Sequence, residues 1–361
     1  MNRDTPTRLP IRVLVVDDSA FMRTALSRMI TSEPDMAVAG TAGCGSEALS
    51  QIASLDPDVV TLDVEMPGLG GLETLRRIMA DFPRPVIMIS SLTERGAEIT
   101  LDALSAGAFD YVPKHLSSAS LDIAHVRQDV VAKIRAATLS RLRKGLALHR
   151  KPACSSALES RTATSVSPTI VALGTSTGGP KALQEILPML PRDLPVPVLI
   201  VQHMPPGFTA PFAQRLNSLC SVTVRQAAEQ EPILPGVVYV APAGMHMTVE
   251  RCSESSAVVC LDTQPVNCLH MPSVDVLMKS VAKSYGSSAM GIILTGMGSD
   301  GAQGMKAIQR EGGLTVGQDE ASCIVYGMPR ACAEMGILSR VVPLSQVVAQ
   351  ILQATNYRKR A

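Results

Sequence analysis

The stretch Thr169-Ile-Val-Ala-Leu-Gly-Thr-Ser-Thr-Gly-Gly-Pro180 constrains this chain more than any other. Thr169 to Leu173 is a short apolar run, which predicts a buried strand. It gives way to a glycine-rich turn, and a helical pattern follows through Ala182, Leu183 and Ile186. Glycines allow a sharp strand-to-helix turn, and Pro180 suits the first turn of a helix. Ser176 then stands at the strand's C-terminal end, beside backbone N–H groups of the helix start. A serine in such a turn serves as a helix cap, a phosphate cradle or a nucleophile with oxyanion donors at hand. Gly174 to Gly178 also matches G-x-S-x-G. Only partner residues elsewhere can choose among these roles.

The chain has 361 residues, enough for two domains with separate cores. Its composition, 46% hydrophobic and 18% charged, is that of a globular protein. A formal net charge of +1 argues against electrostatically driven nucleic-acid binding. The 8 cysteines form no C-x-x-C pair, so neither a zinc site nor a disulfide framework is implied. Reduced cysteines, a polar N-terminus and the lack of any membrane-length apolar run lead us to expect a cytoplasmic protein, not inserted in a membrane.

Residues 11 to about 135 alternate β-branched runs with helical stretches. Arg12–Val16, Ala37–Thr41, Val59–Leu62, Val86–Ile89 and Phe109–Val112 read as five strands, with helices such as Ala20–Ile30 and Gly71–Ala80 between them. That alternation predicts a doubly wound parallel sheet, with chemistry gathered at the strands' C-terminal ends. There stand Asp17, Asp18 and Asp63, with Ser90 after the fourth strand and Lys114 after the fifth. Converging carboxylates repel one another, and a hard divalent cation such as Mg²⁺ relieves that. Asp63 can then attack a phosphoryl donor to give an aspartyl phosphate. Lys114 would neutralise phosphoryl charge, and the Ser90 hydroxyl would hydrogen-bond the new group.

These residues, within Val15-Val-Asp-Asp-Ser19, Leu62-Asp-Val-Glu-Met-Pro-Gly68, Ile89-Ser90 and Tyr111-Val-Pro-Lys114, make the segment resemble response-regulator receivers of two-component signalling. The resemblance implies a flavodoxin-like fold of five parallel strands. It makes Asp63 the phosphorylated residue, gives Asp17 and Asp18 a share in holding Mg²⁺, and places Ser90 and Tyr111 where phosphorylation is reported. His115 departs from the family, which usually has Pro there.

Val126, Val130, Ile134, Leu142 and Leu146 suggest a basic helix running on from this domain. Arg150 to Ser167 is polar and poor in large apolar residues, and reads as a flexible tether. We therefore expect a receiver over 11–135, a helical then flexible linker over 136–167, and a second domain over 168–356.

In that second domain, Val196–Val201 reads as a strand ending at Gln202-His203, and Ala289–Leu294 as a strand leading to Asp300. These strands are apolar on both faces, as in a helix-covered, mostly parallel, Rossmann-like sheet. Ser176, His203 and Asp300 should then share one edge, supplying nucleophile, general base and orienting carboxylate. Backbone N–H groups of Thr177 and Met297 would meet the oxyanion. No cofactor is called for in that step. His246 and His270 lie in loop contexts and are expected to be wall or substrate contacts.

With the receiver, the motifs Gly174-Thr-Ser-Thr-Gly-Gly179, Gln202-His-Met-Pro-Pro-Gly-Phe-Thr209, Pro272-Ser-Val-Asp275, Leu294-Thr-Gly-Met-Gly-Ser-Asp-Gly301 and Glu320-Ala-Ser-Cys-Ile-Val-Tyr-Gly-Met-Pro-Arg330 resemble the chemotaxis protein-glutamate methylesterase family. The resemblance implies a triad of Ser176, His203 and Asp300. It also implies hydrolysis of glutamate methyl esters on chemoreceptor cytoplasmic helices, deamidation of receptor glutamines, and a chemotaxis histidine kinase as phosphodonor. The unphosphorylated receiver would cover the cleft. Met245 and Met271 stand where the family often has Arg. The competing reading is a receiver fused to a non-catalytic nucleotide- or protein-binding module. Against it, the glycine-rich turn lacks the Gly-Lys-Ser/Thr ending of a P-loop.

Overall fold

The computed structural model describes residues 9–91, 93–114, 120–147, 166–253 and 256–358, in two compact units, Met1–Cys154 and Ser155–Ala361. The segment expected as a tether, as far as Ser165, lies outside the described residues, as do His115 and His149.

In the first unit, strands β1 (Ile11–Val16), β2 (Met36–Ala42), β3 (Val59–Asp63), β4 (Val86–Ser90) and β5 (Asp110–Pro113) alternate with helices α1 (Ala20–Thr31), α2 (Gly45–Leu55), α3 (Gly71–Asp81), α4 (Glu94–Ser105) and α5 (Ser120–Ala147). The sheet order is β2-β1-β3-β4-β5, every pair parallel. β3 and β4 are buried along their whole length, as helices on both faces require. Each expected strand is present to within one residue, and Asp63 and Ser90 are the last residues of β3 and β4. α5 lays Val126, Val130 and Ile134 against Val13, Val15, Ile87 and Ile89. It continues past residue 135 without a break, so helix and linker are one element there.

The second unit runs β6 (Ile170–Thr175), α6 (Gly179–Ile186), β7 (Val198–Gln202), α7 (Thr209–Leu219), β8 (Thr223–Gln226), β9 (Val237–Val240), β10 (His246–Arg251), β11 (Ala257–Asp262), α8 (Val274–Tyr285), β12 (Ala289–Ile293), α9 (Ala302–Arg310), β13 (Leu314–Gln318), α10 (Met328–Glu334), β14 (Arg340–Val342) and α11 (Val347–Ala354). Its seven-stranded sheet has the order β14-β13-β12-β6-β7-β9-β8, with all pairs parallel. The antiparallel content is a separate ribbon of β10 and β11. Its inward side chains Met247, Val249, Ala257 and Val259 join Leu277, Met278 and Val281 of α8 in the core.

The winding of the sheet locates the site. From β6 the chain builds outward through β7, β8 and β9, then returns to the other side of β6 for β12, β13 and β14. Loops leaving β6 and β12 therefore diverge, which opens a crevice at the carboxyl ends of the strands. No described helix is long and apolar enough to cross a membrane.

Candidate active site

Ser176, His203 and Asp300 follow β6, β7 and β12, which are neighbours in the sheet. Thr175 pairs with Gln202 in the β6–β7 register, so Ser176 and His203 are each the next residue beyond a paired position. The rim is stitched across all three strands. The N–H of Ser176 donates to Thr295 O at 3.1 Å, and that of His203 to Thr175 O at 3.2 Å. Gln202 Nε2 donates to Ser176 O at 3.0 Å, and Thr295 Oγ1 to Thr177 O at 3.0 Å.

The turn after β6 needs its glycines. Gly178 caps α6 at φ 78°, and a Cβ there would lie 2.7 Å from Ile324 Cβ. Gly296, across the rim, leaves no room for a Cβ, which would stand 2.9 Å from Ser176 Cβ. These contacts press the two loops together, and Ser176 remains partly exposed between them.

His203 meets Asp300 through Nε2, 2.8 Å from Oδ2. Asp300 also accepts from the Ser273 hydroxyl at 2.9 Å and from the N–H groups of Val274 at 2.8 Å, Asp275 at 3.0 Å and Gly301 at 3.0 Å. The carboxylate thus sits on the first turn of α8, where free N–H groups and the helix dipole favour negative charge. Burial opposes its ionisation, but the His203 hydrogen bond and charge, with the N–H groups of Asp275 and Val274, hold it well below the usual carboxylate range. An ionised carboxylate can only accept, so Nε2 donates its proton there. Nδ1 is buried and has no hydrogen-bond partner.

The two remaining histidines of this unit differ. His246 is fully buried. Its Nδ1 accepts the Ser273 N–H at 3.1 Å, and its Nε2 lies 3.2 Å from Pro265 O, which makes it a structural tie. This corrects the expected wall or substrate role: a 0% exposed ring cannot line a cleft. His270 stacks on His203, ring centroids 3.9 Å apart and planes inclined by 23°.

The residues expected to meet an oxyanion lie on the same rim, Thr177 buried and Met297 partly exposed. Among the methionines gathered here, Met204 and Met247 belong to the packed interior, whereas Met245 and Met271 are partly exposed. Those last two lie on adjoining segments, because Gly244 N–H donates to Met271 O at 3.1 Å.

In the first unit, Asp17, Asp18 and Asp63 converge, with a carboxylate oxygen from each within 4.8 Å of the others. Asp17 and Asp63 are buried and Asp18 is exposed. Lys114 Nζ lies 2.8 Å from Asp63 Oδ2 and 3.1 Å from Asp17 Oδ2. Its backbone is fixed by an N–H bond of 2.7 Å to Ser90 O. Burial pushes the Asp63 carboxyl up to about 6, against the lowering pull of Lys114. Such a crowded set of hard oxygen donors fits a small divalent cation. Ser90 Oγ accepts from Thr100 Oγ1 at 2.7 Å. Tyr111 is buried, with Lys133 Nζ 5.4 Å from its ring centroid.

Sequence reasoning missed the roles of Ser273 and Thr295. Ser273 did carry a signal, since Ser before Val-Asp-Val-Leu is a helix-cap pattern, and its hydroxyl does accept the Val276 N–H.

Residues 171–351 match the CheB methylesterase family, and residues 13–125 the response regulator receiver domain. Protein-glutamate methylesterase/protein-glutamine glutaminase 2 of Nitratidesulfovibrio vulgaris is 45% identical, covering 95% of this chain and 98% of its own. The Bordetella bronchiseptica protein-glutamate methylesterase/protein-glutamine glutaminase is 47% identical over 95% of this chain and 96% of its own. The crystal structure of the Thermotoga maritima CheB methylesterase catalytic domain superposes with a TM-score of 0.50 at 37% identity, over 52% of this chain and 99% of that one. With a receiver match followed by a methylesterase match along one chain, and relatives of this identity covered almost end to end, the chain belongs to the protein-glutamate methylesterase/protein-glutamine glutaminase family.

Proposed function

We propose that this chain hydrolyses glutamate methyl esters on the cytoplasmic helices of chemoreceptors, with Ser176 as nucleophile, His203 as general base and Asp300 as its orienting carboxylate. The observation that carries this is the His203–Asp300 pair, which commits Nε2 and leaves the buried Nδ1 without a partner, one residue beyond the β6–β7 register that places Ser176.

Nδ1 takes the Ser176 proton as Oγ bonds to the ester carbonyl carbon. The N–H groups of Thr177 and Met297 receive the oxyanion. Collapse breaks the bond to methoxide, which takes the proton from His203 and leaves as methanol. Water then attacks the acyl-serine, again giving its proton to His203, and glutamate and Ser176 are restored. A glutamine side chain follows the same route with ammonia as leaving group, which gives the deamidation named for the relatives.

Asp63 is the phosphoacceptor, with a chemotaxis histidine kinase as donor. Asp17, Asp18 and Asp63 would hold Mg²⁺, which when bound neutralises phosphoryl oxygen charge. Lys114, already 2.8 Å from Asp63, adds a fixed positive charge for the same group. Ser90 and Tyr111 report the modified state: to donate to the phosphoryl group, the Ser90 hydroxyl must turn from the carbonyls within its reach, Ser91 O at 3.1 Å and Gly96 O at 3.3 Å. Phosphorylation raises esterase activity by shifting an equilibrium between closed and open forms. Such a substrate puts the enzyme in the cytoplasm.

The test is methanol release from methylated chemoreceptor fragments, with and without a small acyl phosphate and Mg²⁺. Release that rises with the phosphodonor is expected. A chain that releases no methanol under either condition contradicts the assignment.

A further inference from the structure

We infer that His270 is a positioning residue for the general base: its ring holds the imidazole of His203 at the roll angle that aims Nδ1 at Ser176. The inference rests on the serine-hydrolase reading above.

The need for such a group follows from the geometry of His203. The Asp300 hydrogen bond engages Nε2. In an imidazole ring Nε2 lies nearly opposite the Cβ–Cγ bond. A bond there stops the ring from swinging sideways but scarcely resists rolling about its long axis. Rolling is the motion that moves Nδ1, and terminal sp³–sp² torsions are intrinsically soft. Nδ1 has no hydrogen-bond partner to restrain it. Something must therefore restrain the face of the ring, and the group found on that face is His270, 3.9 Å between centroids and inclined by only 23°.

A restraint must itself be held, and this one is. His270 lies in the segment between β11 and α8. Gln264 N–H donates to Asp262 Oδ1 at 3.0 Å near the start of that segment. His246 Nε2 lies 3.2 Å from Pro265 O, and Gly244 N–H is 3.1 Å from Met271 O. The stacked ring is thus carried on a segment tied down on both sides, directly ahead of the Ser273 that also grips Asp300. Asp300 fixes the edge of His203, His270 fixes its face, and both restraints meet at the start of α8. A flat π face also suits the positive charge that His203 takes up during attack, since a cation over a ring face is attracted by its quadrupole.

A stacking role is separable from a chemical one, because a flat hydrocarbon ring can replace the first but not the second. The test is the rate at which a small fluorophosphonate adds to the full-length chain, read by intact-mass spectrometry, with Mg²⁺ and a small acyl phosphate present throughout. Labelling reports activation of the hydroxyl without receptor docking. We expect His270→Ala and His270→Leu to slow labelling by at least about 10-fold, as small misplacement of a reacting group does, and His270→Phe to stay within a few-fold of the wild type. Phe and Leu both keep the volume, so the comparison survives if the Ala variant is poorly folded. Phe as slow as Leu would show that the imidazole's own chemistry matters, and Leu as fast as the wild type would show that the face is unimportant. Either result overturns the positioning role. Ser176→Ala is run alongside: loss of labelling there with no effect at His270 refutes this inference alone, whereas labelling undiminished in Ser176→Ala refutes the hydrolase reading beneath it.

Discussion

Asp300 meets His203 at Nε2, 2.8 Å away, and the other ring nitrogen, Nδ1, is buried without a hydrogen-bond partner. The carboxylate does two jobs through one contact. In the proposed mechanism it fixes the tautomer, and it stabilises the imidazolium formed during attack. Its own charge is secured by α8, whose first N–H groups converge on both oxygens.

Asp300→Asn should therefore leave the fold in place and cost roughly 10³- to 10⁴-fold in kcat, because an amide can present its N–H to Nε2 and invert the tautomer. Methanol release under saturating substrate checks this. A loss confined to KM would contradict it.

The same carboxylate shapes stability against pH. Its folded-state pKa is depressed, so the stabilisation it brings is present above the unfolded carboxylate value of about 3.9 and is lost as pH falls through the folded value. The difference in Tm between wild type and Asp300→Asn should be larger near neutral pH than in strong acid. A difference that grows on acidification would have the wrong sign.

Ser273→Ala removes both a hydrogen bond to Asp300 and the side-chain cap of α8. The expected cost is about 1–2 kcal/mol in urea unfolding. Activity should fall only several-fold, because the N–H groups of Val274, Asp275 and Gly301 still hold the carboxylate.

For the receiver, Asp63→Asn cannot form an acyl phosphate. Stimulation of methanol release by a small phosphodonor and Mg²⁺ should vanish in this variant and in wild type treated with a chelator. Stimulation that persists in Asp63→Asn would move the phosphoacceptor elsewhere.

Gating makes a separate demand. Residues 168–361 alone should hydrolyse substrate faster than the unphosphorylated full-length chain. Equal rates would remove the gating claim and leave the chemistry untouched.

Much of this was legible in the chain because strand ends are local features. Apolar runs that break at Ser176 and at His203, and a third whose glycine-rich loop carries Asp300, mark where those residues lie, and alternation with helices predicts a shared edge. What escaped was set by tertiary contact. Nothing near His203 specifies which of its nitrogens meets Asp300. His246 and His270 sit in loops of similar composition, yet one is buried as a tie between β10 and α8 and the other lies against His203. Ser273 carried a helix-cap signal, but only the folded chain shows that Asp300 joins that same helix start.

The most direct test of the account is methanol release by Ser176→Ala in the full-length chain, activated with Mg²⁺ and a small acyl phosphate and given methylated receptor fragments. A loss of roughly 10³-fold or more is predicted, since removal of the nucleophile leaves only binding and oxyanion stabilisation. A rate equal to that of the wild type would contradict it.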